Sequence, residues 1–102
     1  MANEQQAREA LKNVSDPELA MNIIDLGLIY ELKVDEPANS VFVKMTFTSP
    51  ACPAGEFILK SVQEELKKLG FEKIRVEITF EPPWSPERMT EDARAELNIP
   101  GY

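Results

Sequence analysis

The chain has one cysteine, Cys52, set in the run Thr48-Ser49-Pro50-Ala51-Cys52-Pro53. This run joins a strand-like segment to a helix-like one. Proline is favoured at the first helical position, so Pro53 there predicts Cys52 at the N-cap. A thiolate at an N-cap faces unpaired backbone N–H groups and the positive end of the helix dipole. Such surroundings stabilise the thiolate and favour nucleophilic or metal-binding behaviour. The hydroxyls of Thr48 and Ser49 can add hydrogen bonds to sulfur or to a ligand, and two prolines stiffen the run. The competing reading makes Cys52 a small apolar residue covering a helix end.

Asp25 is the second candidate. It lies in the otherwise apolar stretch Ile23-Ile24-Asp25-Leu26-Gly27-Leu28-Ile29, where an unpartnered carboxylate is costly. It either serves a site or caps a turn by accepting backbone N–H bonds. Asp16 and Glu18, in Ser15-Asp16-Pro17-Glu18, read first as helix-start residues and second as an acidic part of a site. Trp84, after Pro82 and Pro83, either forms an exposed ridge or folds back onto the core, and packing is the favoured reading.

Composition removes several chemistries. There is no histidine, so acid–base catalysis and metal ligation by imidazole are excluded within the chain. One cysteine allows neither an intrachain disulfide nor a four-thiolate site in a monomer. A thiol enzyme is the weakest reading, because no histidine can act as its base. Eleven Lys and Arg against 18 Asp and Glu give a net charge of −7, which disfavours nucleic acid and anionic membranes as partners. No GxxxxGK[ST], GxGxxG or calcium-loop pattern occurs. The N-terminus lacks the blocks of a signal peptide and no run approaches a membrane span, so the expected address is the cytoplasm.

The elements that must hold these residues follow from periodicity. The 102 residues suit a single domain, 1–102. Residues 3–13 read as helix, with Ala7, Ala10, Leu11 and Val14 as its stripe. Pro17–Met21 reads as a short helical turn, and Asn22 to Gly27 as a bend that uses the positive-φ tolerance of Gly27. Leu28–Asp35, Val41–Thr48 and Lys73–Phe80 alternate with period two and read as strands. In the first of them Leu28, Tyr30, Leu32 and Val34 share a face. A turn at Glu36–Ser40 makes the first two strands an antiparallel hairpin. Pro53–Leu69 reads as the main helix, with an apolar stripe of Ile58, Leu59, Val62, Leu66 and Leu69, ended by Gly70. Ser85-Pro86-Glu87 and Thr90-Glu91-Asp92 are further helix starts, and Thr90 caps a helix through Leu97. The expected fold is an α/β (α+β) two-layer sandwich: a small three-stranded mixed sheet covered on one face by helices, in the order α-β-β-α-β-α.

Four blocks in order then resemble the SufT/PaaD-type iron–sulfur cluster assembly domain. They are Asp16-Pro17-Glu18, Asn22 to Tyr30, Thr48 to Pro53, and Pro82-Pro83-Trp84. The resemblance runs from about residue 5 to the C-terminus. It implies a non-enzymatic role in maturing iron–sulfur proteins, helping a cluster move between a carrier or scaffold and an apo-target. Cys52 matches the family's key cysteine, Asp25, Thr48 and Ser49 fall on polar positions around it, and Asp16 and Glu18 match the acidic block. Pro83 and Trp84 are the expected partner-binding residues. Relatives tied to phenylacetyl-CoA ring hydroxylation carry extra C-terminal cysteines that this chain lacks, so the stand-alone SufT-like reading is preferred to a PaaD-like accessory of a ring-hydroxylase complex.

One thiolate cannot hold a cluster that takes four ligands. The expectation is therefore no tightly bound cofactor and a transient, shared iron–sulfur cluster with Cys52 as one ligand. The others would come from a carrier, a small thiol or a second copy in a homodimer. A cofactor-free adaptor linking carrier and target, built on Pro82–Trp84 and the open sheet face, is the alternative.

Overall fold

The computed structural model describes residues 2–48 and 54–97. Helix α1, Glu4–Leu11, starts at Asn3, whose side chain accepts the Gln6 N–H while Gln6 returns a bond to the Asn3 N–H. This reciprocal cap satisfies two otherwise orphaned donors. Two short strands follow, β1 (Ser15–Asp16) and β2 (Met21–Asn22), then β3 (Ile29–Asp35), β4 (Ser40–Met45), helix α2 (Gly55–Lys68), β5 (Lys73–Ile78) and helix α3 (Glu91–Leu97). The main sheet has the order β3-β4-β5, antiparallel between β3 and β4 and parallel between β4 and β5.

Alternation decides the faces. Leu32, Val41, Val43 and Met45 are buried against Ala7 and Leu11 of α1 and Ile58, Val62 and Leu66 of α2. Each such large side chain contributes about 1.5–3 kcal/mol through burial. The register puts Lys33, Phe42, Lys44, Arg75 and Glu77 on the other face, over which no helix packs among the described residues. The α2 helix ends as its sequence directs, with Lys67 and Lys68 in the last turn and Gly70 at φ 95°, its N–H bonded to Lys67 O at 2.9 Å.

Three local readings need correction. Pro17–Met21 is not helical throughout: Pro17–Ala20 is the turn that connects β1 to β2, and Met21 already belongs to β2, the two strands pairing antiparallel with Asp16 opposite Met21. The buried Asp16 carboxylate takes the Glu18 N–H at 2.8 Å and Asp16 O takes the Ala20 N–H at 2.8 Å. The second bond closes a single i→i+4 turn, and with Ala20 at φ 53° the chain then reverses into β2 instead of continuing as helix.

Tyr30 does not share the face of Leu32 and Val34. The register shifts between Ile29 and Glu31, so Ile29 joins the inner face and Tyr30 is the extra residue of a bulge.

The main helix begins at Gly55, with Ala54 as its N-cap, so Cys52 precedes the cap instead of occupying it. Gly55 packs closely on Phe47: a Cβ there would lie 3.0 Å from the Phe47 ring. Smaller differences follow the same logic. Ser85 gives no side-chain cap to the short 3-10 turn Pro86–Arg88, while Thr90 Oγ1 does accept the Ala93 N–H at 3.2 Å.

Candidate functional site

The stretch Asn22–Leu28 is a single capped helical turn. Asn22 Oδ1 accepts the Asp25 N–H at 2.9 Å, and Asn22 Nδ2 donates to Asp25 Oδ2 at 3.0 Å. At the other end, Leu28 N–H bonds to Ile23 O and Gly27 N–H to Ile24 O, both at 3.0 Å, with Gly27 at φ 74°. This is the pattern of a glycine-terminated helix end compressed into one turn. Ile23, Leu26 and Leu28 are fully buried, which fixes the turn to the core and leaves Asp25 half-buried at its edge. Asp25 is therefore a turn residue, and among the described residues its carboxylate is held by the Asn22 side-chain amide and by no backbone N–H group.

Two neighbours meet this turn. Thr46 N–H donates to Leu28 O at 2.9 Å, so the exit of β4, which continues through Phe47 to the half-buried Thr48, leaves from beside it. Ile23 N–H donates to Val14 O at 2.9 Å, bringing in the β1–β2 ribbon. Asp16 lies in that ribbon with no solvent exposure; its Oδ2 is buried and has no hydrogen-bond partner among the described residues. Glu18 is exposed and contributes its backbone N–H to Asp16.

The C-terminal segment closes over the same turn. Trp84 Nε1 donates to Leu26 O, and Thr90 N–H donates to Asp25 O at 2.9 Å. Tyr30, displaced by the bulge, sends its hydroxyl to Pro82 O at 2.9 Å, and the Arg88 guanidinium lies over its ring at 4.4 Å. Gly27 is pressed so closely on the Arg88 backbone that no side chain fits there. Trp84 packs on the core while Pro83 is exposed. Asn22, Tyr30 and Arg88 are framework residues that sequence reasoning missed. The Asn22–Asp25 spacing of three was the one available signal, being that of a capping pair.

Cys52 and Ser49 lie outside the described residues. What is described is where their segment starts and ends. Its described neighbours are Thr48, two residues after the Thr46 that bonds to Leu28, and Ala54, the N-cap of α2, which makes no side-chain hydrogen bond. The first-turn N–H groups of α2 thus have no side-chain acceptor from their N-cap. Among the described residues no three Asp, Glu, His or Cys side chains converge in a way that would hold a metal.

Residues 4–78 match the family described as "Iron-sulfur cluster assembly protein". The chain belongs to that family. It is 40% identical over 90 residues to the Fe-S protein maturation auxiliary factor of Porphyromonas gingivalis, covering 87% of this chain and 85% of that protein. It is 36% identical over 87 residues to the auxiliary factor SufT of Staphylococcus aureus, covering 84% and 98%. The crystal structure of a DUF59 domain from Bacillus anthracis superposes with a TM-score of 0.88 at 37% identity, covering 94% of this chain and 92% of that one. The mixed α+β fold expected from the periodicity of the sequence is the fold of this iron–sulfur assembly family, and a role in iron–sulfur protein maturation follows from membership.

Proposed function

We propose that this family member assists the passage of an iron–sulfur cluster from a carrier or scaffold to an apo-protein, with Cys52 as an exchangeable ligand. The observation that supports this is the setting of the 49–53 segment. It follows the exit of β4, where Thr46 bonds to Leu28 at the end of the Asp25 turn, and precedes α2, whose N-cap Ala54 makes no side-chain hydrogen bond. Anionic sulfur is stabilised at such an end by backbone dipoles, without a basic side chain. Asp25, Thr48, Ser49, Asp16 and Glu18 supply polar groups around the thiol, while the exposed Pro83 beside Trp84 belongs to the partner-facing side.

The cluster is cargo. A single thiolate gives one ligand of the usual four, so a bound cluster is always shared with the donor, the acceptor or a small thiol. That arrangement favours transfer, since no step requires this chain to release a full set of ligands.

Anaerobic incubation with ferrous iron, sulfide and a small thiol tests the proposal. The wild type is expected to take up a chromophore that an apo-protein then removes, and Cys52→Ala to take up none. Equal chromophore on Cys52→Ala contradicts the role of the thiol. A colourless wild type that still binds carrier and target replaces it with the cofactor-free adaptor.

A further inference from the structure

Among the described residues the strand β5 lies at one edge of the main sheet and pairs only with β4. Lys73 N–H reaches Asn39 O at 3.3 Å and Thr79 N–H reaches Met45 O at 2.9 Å, both toward β4. Backbone groups alternate sides along a strand, so those of Ile74, Val76 and Ile78 point outward. Among the described residues no backbone hydrogen bond meets them there.

Exposed edges are blunted by proline, a bulge, an inward-pointing charge or charged side chains. Lys73–Ile78 lacks the first three: Ile74, Val76 and Ile78 face the helix layer half-buried, and its charges, Lys73, Arg75 and Glu77, lie exposed on the open face with both signs present, so they can pair as well as repel. The opposite edge strand, β3, is guarded by its bulge at Tyr30 with Arg88 stacked over it.

We infer that β5 pairs with β5 of a second copy, antiparallel about Val76, to make one continuous sheet. Three features of the sequence select this register. Val76 meets Val76 and Ile74 meets Ile78 on the apolar face. Arg75 meets Glu77 of the second copy, twice by symmetry, on the open face. The residues brought opposite one another on the apolar face are the ones whose free N–H and C=O groups point outward, which gives about six new backbone hydrogen bonds. Centring on Arg75 or Glu77 instead sets like charges opposite each other, which is unfavourable. The contact is isologous and therefore closes as a dimer.

The interface is small, so the association is weak and concentration-dependent. The twofold sends the C-terminal ends of the two β4 strands, and the Thr48 that follows each, to opposite sides of the axis. This dimer therefore sets the two Thr48 residues apart instead of side by side.

Sedimentation velocity of the full chain under reducing conditions, which exclude a Cys52 disulfide, tests the inference over micromolar to submillimolar concentrations. The wild type is expected to move from monomer to dimer. Arg75→Glu and Glu77→Arg are each expected to weaken dimerisation at least tenfold with unchanged circular dichroism. An equimolar mixture of the two restores it, because opposite charges then meet at both positions. Val76→Pro, which removes an outward N–H that the β4 ladder does not use, is expected to stay monomeric. A wild type that is monomeric throughout, or a mixture no more associated than the single variants, overturns the inference.

Discussion

Trp84 donates its indole N–H to the carbonyl oxygen of Leu26 at 2.6 Å, tying the C-terminal segment to the turn that holds Asp25. The residues are 58 apart in sequence. The bond explains why Trp84 is held with its ring on the core, and it makes the geometry of the Asp25 turn depend on a segment beyond the last strand.

Replacing Trp84 with Phe keeps most of the packing and removes the donor. Leu26 O then loses a partner in a half-buried place. The expected loss of stability is about 1 kcal/mol, the net worth of a typical protein hydrogen bond. Urea denaturation monitored by circular dichroism measures it, and an unchanged midpoint argues that the bond contributes nothing.

Gly27→Ala meets two penalties at once. The φ of 74° disfavours any side chain, and the added Cβ runs into the Arg88 backbone. A left-handed residue costs about 1–2 kcal/mol and overpacking about 1–3 kcal/mol, so the combined loss is about 3 kcal/mol. Because the collision is with the C-terminal segment, limited proteolysis is expected to cut between Pro82 and Thr90 faster than in the wild type. A variant as stable and as resistant as the wild type contradicts this packing.

The Asn22–Asp25 pair separates structure from function. Asn22→Ala removes the acceptor for the Asp25 N–H and the donor to its carboxylate, and is expected to cost about 1 kcal/mol, as for a lost helix cap. Asp25→Asn retains a side-chain oxygen toward Asn22 and is expected to melt close to the wild type. If Asp25 serves the neighbouring thiol segment, this second variant still lowers maturation of an iron–sulfur client. Full client activity in Asp25→Asn confines the residue to a role in the turn.

Much of the fold was legible because period-two and helical stripes report burial directly. The hairpin, the stripe of Ile58, Val62 and Leu66, the Gly70 terminator and the Thr90 cap all rest on single-element physics. The misses came where two elements compete for one residue. Pro17 looks like a helix start until Asp16 and Met21 pair across a ribbon. Tyr30 continues an alternation in sequence, but a bulge releases it to reach Pro82. Pro53 fits the first helical position, yet the contact between Gly55 and Phe47 accompanies a later start, and the N-cap is Ala54. At the candidate site, Asp25 was visible as a polar residue in an apolar run. Its partner Asn22 stands at the local spacing of a capping pair, whereas the covering Trp84, Arg88 and Thr90 depend on long-range contacts that no local pattern encodes.

The thiol is the core of the functional account, and client maturation in cells lacking the native protein tests it most directly. Wild type and Cys52→Ala are expressed to equal levels, and the activity of an iron–sulfur enzyme is measured with its iron content. The account expects Cys52→Ala to fold with an unchanged melting temperature and to leave the client largely without cluster. Client activity restored by Cys52→Ala to the level of the wild type would contradict it.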